Sequence, residues 1–179
     1  DQDFYAERTD IPHGSMQTVK FYSPSLGKMQ EATVYLPYGY GKLVDKKGNP
    51  VKEGAKGIQE RYPVLYLQHG WGENETSWPI QGKAGLIMDN LIADGKIKPF
   101  IIVMAYGLTN DFKFGTIGQF TAEEFEKVLI DELIPYIDKN YLTKSDKWNR
   151  AMAGLSMGGM TTKLITLRRP EVFGYWGLL

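Results

Sequence analysis

The chain has 179 residues, 42% hydrophobic and 23% charged, the composition of an ordinary globular domain rather than a disordered or fibrous one. Lysine plus arginine balances aspartate plus glutamate at 21 each, so no net field gathers nucleic acid or an anionic membrane surface, and no apolar run approaches the roughly 20 residues that span a bilayer. Cysteine is absent, which excludes disulfides and thiolate metal sites, and the two histidines, His13 and His69, stand too far apart in sequence to suggest a metal centre. No metal or cofactor is expected.

The polar opening, Asp1 to Asp10, has no cationic segment followed by an apolar one. It fits a cytosolic start or a mature end left after removal of a signal peptide. Met16–Tyr22 and Gln30–Leu36 are rich in Val, Thr, Tyr and Phe and flank the turn residues Ser23-Pro24-Ser25-Leu26-Gly27, which predicts an antiparallel pair of strands. Residues 39–61 carry Gly, Lys, Asp and Asn with few large apolar side chains. They predict a surface excursion with a small hairpin of its own at Lys47-Gly48-Asn49.

Residues 63–68 are apolar on both faces, as a central strand covered by helices would be, and run directly into His69-Gly70-Trp71-Gly72. Glycines on both sides of Trp71 let the backbone approach a ligand closely. A histidine at a strand end usually orients a loop through its hydrogen bonds, and His69 is expected to do so. Trp78 is expected to be a core aromatic, with a pocket wall as the alternative. Residues 85–94 place Leu86, Ile87, Leu91 and Ile92 on one helical face, with Gly95 suited to the cap. Residues 99–105 read as a second strand buried on both faces. The loop from Gly107 to Gln119 leaves the same sheet edge, and its Phe112 and Phe114 are either ligand contacts or a local hydrophobic plug.

Thr121-Ala122-Glu123-Glu124 has the form of a capping box. Phe125, Val128, Leu129, Leu133 and Ile137 follow at helical spacing, and Pro135 within that pattern implies a kink or break. Residues 147–153 predict a strand, 157–167 a helix stopped by Pro170, and 173–179 the start of another strand. Between strand and helix stands Gly154-Leu155-Ser156-Met157-Gly158, a G-x-S-x-G pentapeptide. In a nucleophile elbow this pattern holds a serine on a sharp strand-to-helix turn. The turn lifts the Ser156 hydroxyl clear of the backbone and sets the Met157 amide at a helix start, where unpaired N–H groups attract negative oxygen. A glycine-rich start of a helix with an incidental serine is the bland alternative. Strands alternating with helices after an antiparallel start predict an α/β chain: a mostly parallel sheet with antiparallel N-terminal strands and helices on both faces.

Four phrases together, residues 62–70, 89–99, 133–137 and 153–159, resemble the α/β-hydrolase serine esterases of the feruloyl esterase and esterase D group. Pro12-His13-Gly14 is similar to the feruloyl-type members. The resemblance extends over nearly the whole chain, 1–179, as one α/β-hydrolase domain. It implies a serine carboxylesterase, secreted or periplasmic with a cytoplasmic location as the alternative, acting on hydroxycinnamoyl esters of plant xylan. Carried over to matching positions, Ser156 is the nucleophile, the backbone amides of Trp71 and Met157 form the oxyanion hole, and Gly70, Gly154 and Gly158 are the loop and elbow glycines. Other expectations are an esterase or acyltransferase acting on S-formylglutathione, a siderophore or an acetyl ester, or an inactive carbohydrate-binding relative. The pattern departs at one point: the family's order is Ser, then Asp or Glu, then His, yet after Ser156 only Glu171 is acidic and no histidine follows. The final strands with the acid and histidine are therefore expected to lie beyond Leu179 or on a second polypeptide.

Overall fold

The computed structural model describes residues 4–109 and 117–179. β1 (Ser15–Ser23) and β2 (Lys28–Leu36) form an antiparallel hairpin in which Ser23 faces Lys28 and Ser15 faces Leu36. β3 (Leu43–Val44) and β4 (Ile58–Gln59) pair apart from the main sheet. The small hairpin expected at Lys47-Gly48-Asn49 is present and folds β3 back on Pro50: Val44 bridges Pro50, the Asp45 carboxylate accepts from the amides of Lys47 and Asn49, and Gly48 adopts φ +84°. β5 (Val64–Gln68), β6 (Ile101–Ala105), β7 (Arg150–Gly154) and β8 (Tyr175–Leu178) complete a six-stranded sheet of order β1-β2-β6-β5-β7-β8. β2 meets β6 antiparallel, and β6, β5, β7 and β8 are mutually parallel.

Alternate side chains of the central strands feed two cores. Val64, Tyr66, Ile101, Val103 and Met152 point to one face, where they meet Phe125, Leu129, Leu133, Ile137 and Ile165. These come from α3 (Glu123–Lys127), a π-helical segment over Val128–Leu133, α4 (Ile134–Asn140) and α5 (Met157–Arg168). Leu67, Ile102 and Met104 point to the other face with Met88 and Ala84 of α2 (Ala84–Ala93), which follows the short α1 (Ser77–Ile80). The split follows from right-handed crossovers: β5 to β6 runs one way along the sheet and β6 to β7 to β8 runs back, so the helices lie on opposite faces. Adjacent β5 and β7 send their connections to opposite faces, which opens a crevice between their carboxyl ends.

Four local expectations are corrected, and one, at Pro135, is met. Lys147–Asn149 is a 3₁₀ turn capped by Asp146, whose carboxylate accepts from the Trp148 amide at 3.0 Å, so the strand starts at Arg150. The last strand starts at Tyr175, because Val172 and Phe173 turn into the larger core and Gly174 passes against Lys147, whose carbonyl a Cβ would meet at 2.4 Å. The N-cap of α3 is Ala122; Thr121 Oγ1 accepts from the Glu123 amide at 3.3 Å instead of forming the reciprocal box with Glu124. The break expected at Pro135 is present: a wider, π-helical turn over Val128–Leu133 separates α3 from α4, and the proline sits in the first turn of α4, where its missing N–H costs little. On α2, Met88, Asp89 and Asn90 are the buried residues beside Ala84, while Leu86, Ile87, Leu91 and Ile92 are half-buried. The polar pair turns inward because it holds the amino-terminal arm.

Candidate active site

β5 and β7 are in register from Val64 opposite Arg150 to Gln68 opposite Gly154, so the chain leaves both strands at one level, as His69 and as Leu155. Gln68 stitches the edge together. Its carbonyl accepts from the Leu155 amide at 3.2 Å and from Trp78 Nε1 at 2.9 Å, and its side-chain amide donates to the Ala105 carbonyl at 3.2 Å.

Ser156 stands between β7 and α5 at φ 54°, ψ −114°, a combination that a residue with a side chain rarely adopts and that costs about 1–3 kcal/mol. The conformation is imposed from both sides. The Ser156 amide donates to the Leu179 carbonyl at 3.0 Å, the Leu179 amide returns a bond to Gly154 at 3.0 Å, and the Gly158 amide closes the turn on Leu155 at 2.8 Å. A Cβ on Gly154 would meet the Gly158 carbonyl oxygen at 2.2 Å, and one on Gly158 would meet the His69 carbonyl oxygen at 2.4 Å. Both glycines are thus required by backbone contact. The serine is exposed, whereas Met157 behind it is buried and opens α5, where the first amides have no intrahelical acceptor.

Across the crevice, His69 is buried and stacks on Tyr106 with ring centroids 5.8 Å apart. The Gly107 amide donates to its Nε2 at 3.0 Å, so Nε2 is unprotonated, and Nδ1–H donates to the Gly70 carbonyl at 2.7 Å. Burial pushes its pKa below the ordinary value, which keeps this tautomer neutral. His69 is the loop-orienting residue that its place at a strand end predicted. Gly72, at φ +77°, turns the chain after Trp71, whose side chain is exposed. Trp78 is half-buried against the α2-side core, as expected of a core aromatic, and it also lines a cavity of about 220 Å³ with Glu73, Ser77, Gln81 and Leu155. Phe112 and Phe114 lie outside the described residues.

The second histidine is elsewhere. His13 Nδ1 bonds Asp89 Oδ2 at 2.9 Å and Nε2 bonds the Arg8 carbonyl at 2.7 Å, so the ring faces acceptors on both sides and its pKa is raised, chiefly by Asp89. Asp89 also accepts from the Tyr35 hydroxyl at 2.6 Å and the Gly14 amide at 2.9 Å.

A family model described as "Putative esterase" matches residues 23–179. The chain belongs to this esterase family. It is 81% identical over all 179 residues to an endo-1,4-beta-xylanase/feruloyl esterase of Xylanibacter ruminicola, and 30% identical over 154 residues to endo-1,4-beta-xylanase Y of Acetivibrio thermocellus. It spans 23% of the first relative's length and 12% of the second's, and 100% and 80% of this chain are covered. Among solved structures, the ferulic acid esterase of the anaerobic fungus Anaeromyces mucronatus superposes with a TM-score of 0.79 at 23% identity, over 98% of this chain and 62% of that one. The fold is that of the α/β-hydrolases.

Within this esterase, sequence reasoning missed Gln68, Glu73 and Gly107. Glu73 Oε2 accepts from the Gly70 amide at 2.7 Å, and a Cβ on Gly107 would lie 2.0 Å from the Gln68 side-chain nitrogen. No periodicity announces a polar side chain that bonds only loop backbone. The one available signal was the spacing of Glu73, three residues after Gly70, which suits a side chain folding back on the start of its own turn.

Proposed function

We propose that the chain carries the nucleophile of a serine carboxylesterase that hydrolyses feruloyl esters on plant cell-wall xylan, and that it acts outside the cytoplasm. The observation that carries the reading is Ser156 itself: an exposed hydroxyl held at φ 54° on a nucleophile elbow, at the carboxyl edge of a parallel sheet. The names of the relatives, one of which joins xylanase to feruloyl esterase, support the substrate class. For location the described residues give one fact: no helix is long and apolar enough to cross a membrane.

In this reading the Ser156 oxygen attacks the ester carbonyl and its proton passes to a histidine. The carbonyl oxygen becomes an oxyanion between the amides of Met157 and Trp71, and the alcohol leaves with the proton. Water then repeats the sequence on the acyl-enzyme and releases the acid. Neither histidine of the sequence is free for this role: His69 is buried with both ring nitrogens committed to Gly70 and Gly107, and His13 is committed to Asp89 and Arg8.

The test is release of ferulate from methyl ferulate by the complete natural protein. Ser156→Ala is expected to lower kcat by on the order of a millionfold, as loss of the nucleophile does in a complete triad. Equal rates for the two proteins would end the reading.

A further inference from the structure

Gly70 is held at both of its backbone groups, its amide in one peptide and its carbonyl in the next. The Gly70 carbonyl accepts from His69 Nδ1 at 2.7 Å and from the Glu73 amide at 3.3 Å, while the Gly70 amide donates to Glu73 Oε2 at 2.7 Å. His69 is itself anchored by the Gly107 amide at 3.0 Å and by its stack on Tyr106. In a trans peptide the carbonyl and the following N–H lie in one plane and point in opposite directions. Holding the Gly70 carbonyl on His69 therefore fixes the Trp71 N–H away from the imidazole. Rotation of that plane would stretch the bonds to His69 and Glu73 together.

The Glu73 carboxylate sits where this matters. It borders the cavity it shares with Leu155, and a Cβ on Gly70 would lie 3.2 Å from Glu73 Oε2 and 3.5 Å from the Leu155 carbonyl oxygen. The clamp is thus packed against the turn that carries Ser156. A negative carboxylate near a developing oxyanion opposes it electrostatically. What the carboxylate offers in return is a charge-assisted bond to an amide, stronger than a neutral one.

We propose that Glu73, acting with His69, is a positioning residue that fixes the direction of the Trp71 amide: its carboxylate holds the Gly70 amide while His69 holds the Gly70 carbonyl, so the two peptide planes that meet at Gly70 cannot turn. This rests on the acyl-transfer reading above for its catalytic consequence, though not for its geometry. An amide aimed in advance stabilises the transition state without reorganising during reaction, so loss of the grip should slow turnover and leave ground-state binding intact.

The experiment uses the complete natural protein and methyl ferulate. Glu73→Ala is expected to lower kcat at least tenfold, with KM and the affinity for ferulic acid held within twofold. Glu73→Gln, which keeps an acceptor for the Gly70 amide, is expected to retain at least a third of the wild-type kcat. A fall of less than threefold for Glu73→Ala, a parallel loss of ferulic acid affinity, or a Glu73→Gln variant as slow as Glu73→Ala would overturn the assignment. Hydrogen exchange at the Gly70 amide decides the geometry without turnover: it should quicken at least tenfold in Glu73→Ala and little in Glu73→Gln, and equal protection in all three proteins would refute the clamp. If the wild type shows no Ser156-dependent turnover while exchange behaves as expected, the acyl-transfer reading fails and the clamp stands.

Discussion

The loop after β5 and the amino-terminal arm are both irregular backbone anchored in part by a histidine and a carboxylate, yet they are built on opposite principles. In the loop, His69 is buried and neutral, its Nδ1–H donates to Gly70 and its Nε2 accepts from Gly107, and glycines let the chain pass closely. In the arm, His13 is half-exposed, faces an acceptor at each nitrogen, and gains a proton to satisfy both. Burial holds His69 neutral, whereas His13 satisfies both of its acceptors only when protonated, so the arm's histidine is the more pH-sensitive of the two. The site edge is fixed by fit and the arm by charge, so substitutions that add volume should damage the first most, and changes of charge the second.

The largest effect on stability is expected at the elbow. Gly158→Ala forces a methyl group against the His69 and Gln68 carbonyl oxygens, at 2.4 and 2.7 Å, with no flexible side chain to yield. Overpacking of this kind costs about 3 kcal/mol. Urea denaturation of Gly158→Ala beside Gly27→Ala checks it. Gly27 has open space for a Cβ, so it reports the cost of a positive φ without a clash. Gly158 lies in α5 without a positive φ, so a loss no larger than that of Gly27→Ala would show that the backbone contact costs little.

Asp89 comes next. It is buried and accepts from Tyr35, Gly14 and His13, so Asp89→Ala leaves the buried Tyr35 hydroxyl without that acceptor and frees the arm. Burial and the Asp89 carboxylate already push the Tyr35 pKa upward, so the phenol stays protonated and loses its bond rather than ionising. The expected cost is about 2 kcal/mol, within the range for an orphaned buried polar group. Asn90, whose side-chain amide donates to the Phe4 and Ala6 carbonyls, should release the arm in Asn90→Ala without disturbing Tyr35. Proteolysis that cuts the arm equally fast in both variants, with unfolding weakened only in Asp89→Ala, would separate the clasp from the core it rests on.

These polar anchors mark the limit of what the sequence made legible. Strands apolar on both faces, such as Val64–Gln68 and Ile101–Ala105, declared the central sheet, and the pentapeptide around Ser156 declared the turn, because hydrophobic period and glycine spacing are local signals. Asp89 and Asn90 were hidden in a helix whose apolar residues suggested a different buried face, and their partners lie more than 50 residues away. Pro135 announces an interruption of the helical run, but not that it takes the form of a wider turn that keeps Leu129, Leu133 and Ile137 in the core. Glu73 bonds only backbone, which no side-chain pattern foretells.

The clasp should also open with pH. The folded pKa of His13 is raised, chiefly by its bond to Asp89, with the Arg8 carbonyl and Glu7 contributing. Its stabilisation is therefore complete below the unfolded value of about 6.5 and is lost as pH rises through the higher folded value. Beyond that point the neutral ring can donate to Asp89 or to Arg8, but not to both. Hydrogen exchange of residues 8–14, corrected for intrinsic rate, should accelerate on the alkaline side in the wild type and lose that dependence in His13→Gln. Exchange around His69, already neutral, should not follow it. Matching pH profiles in the two regions would remove the distinction.

The smallest effect runs the other way. Ser156 is strained at φ 54°, ψ −114°, so Ser156→Gly should relieve part of that cost. The greater freedom of glycine in the unfolded chain offsets some of the gain, leaving about 1 kcal/mol, or roughly 3 °C in Tm for a chain of this size. Ser156→Ala keeps the Cβ and so keeps the strain, and it should melt close to the wild type. A gain in the glycine variant alone would locate the strain in the backbone of the elbow. Equal melting of all three would mean that the Leu179 and Gly158 bonds hold this conformation at no cost, and that the serine's backbone angle reflects the fold rather than a strain kept for chemistry.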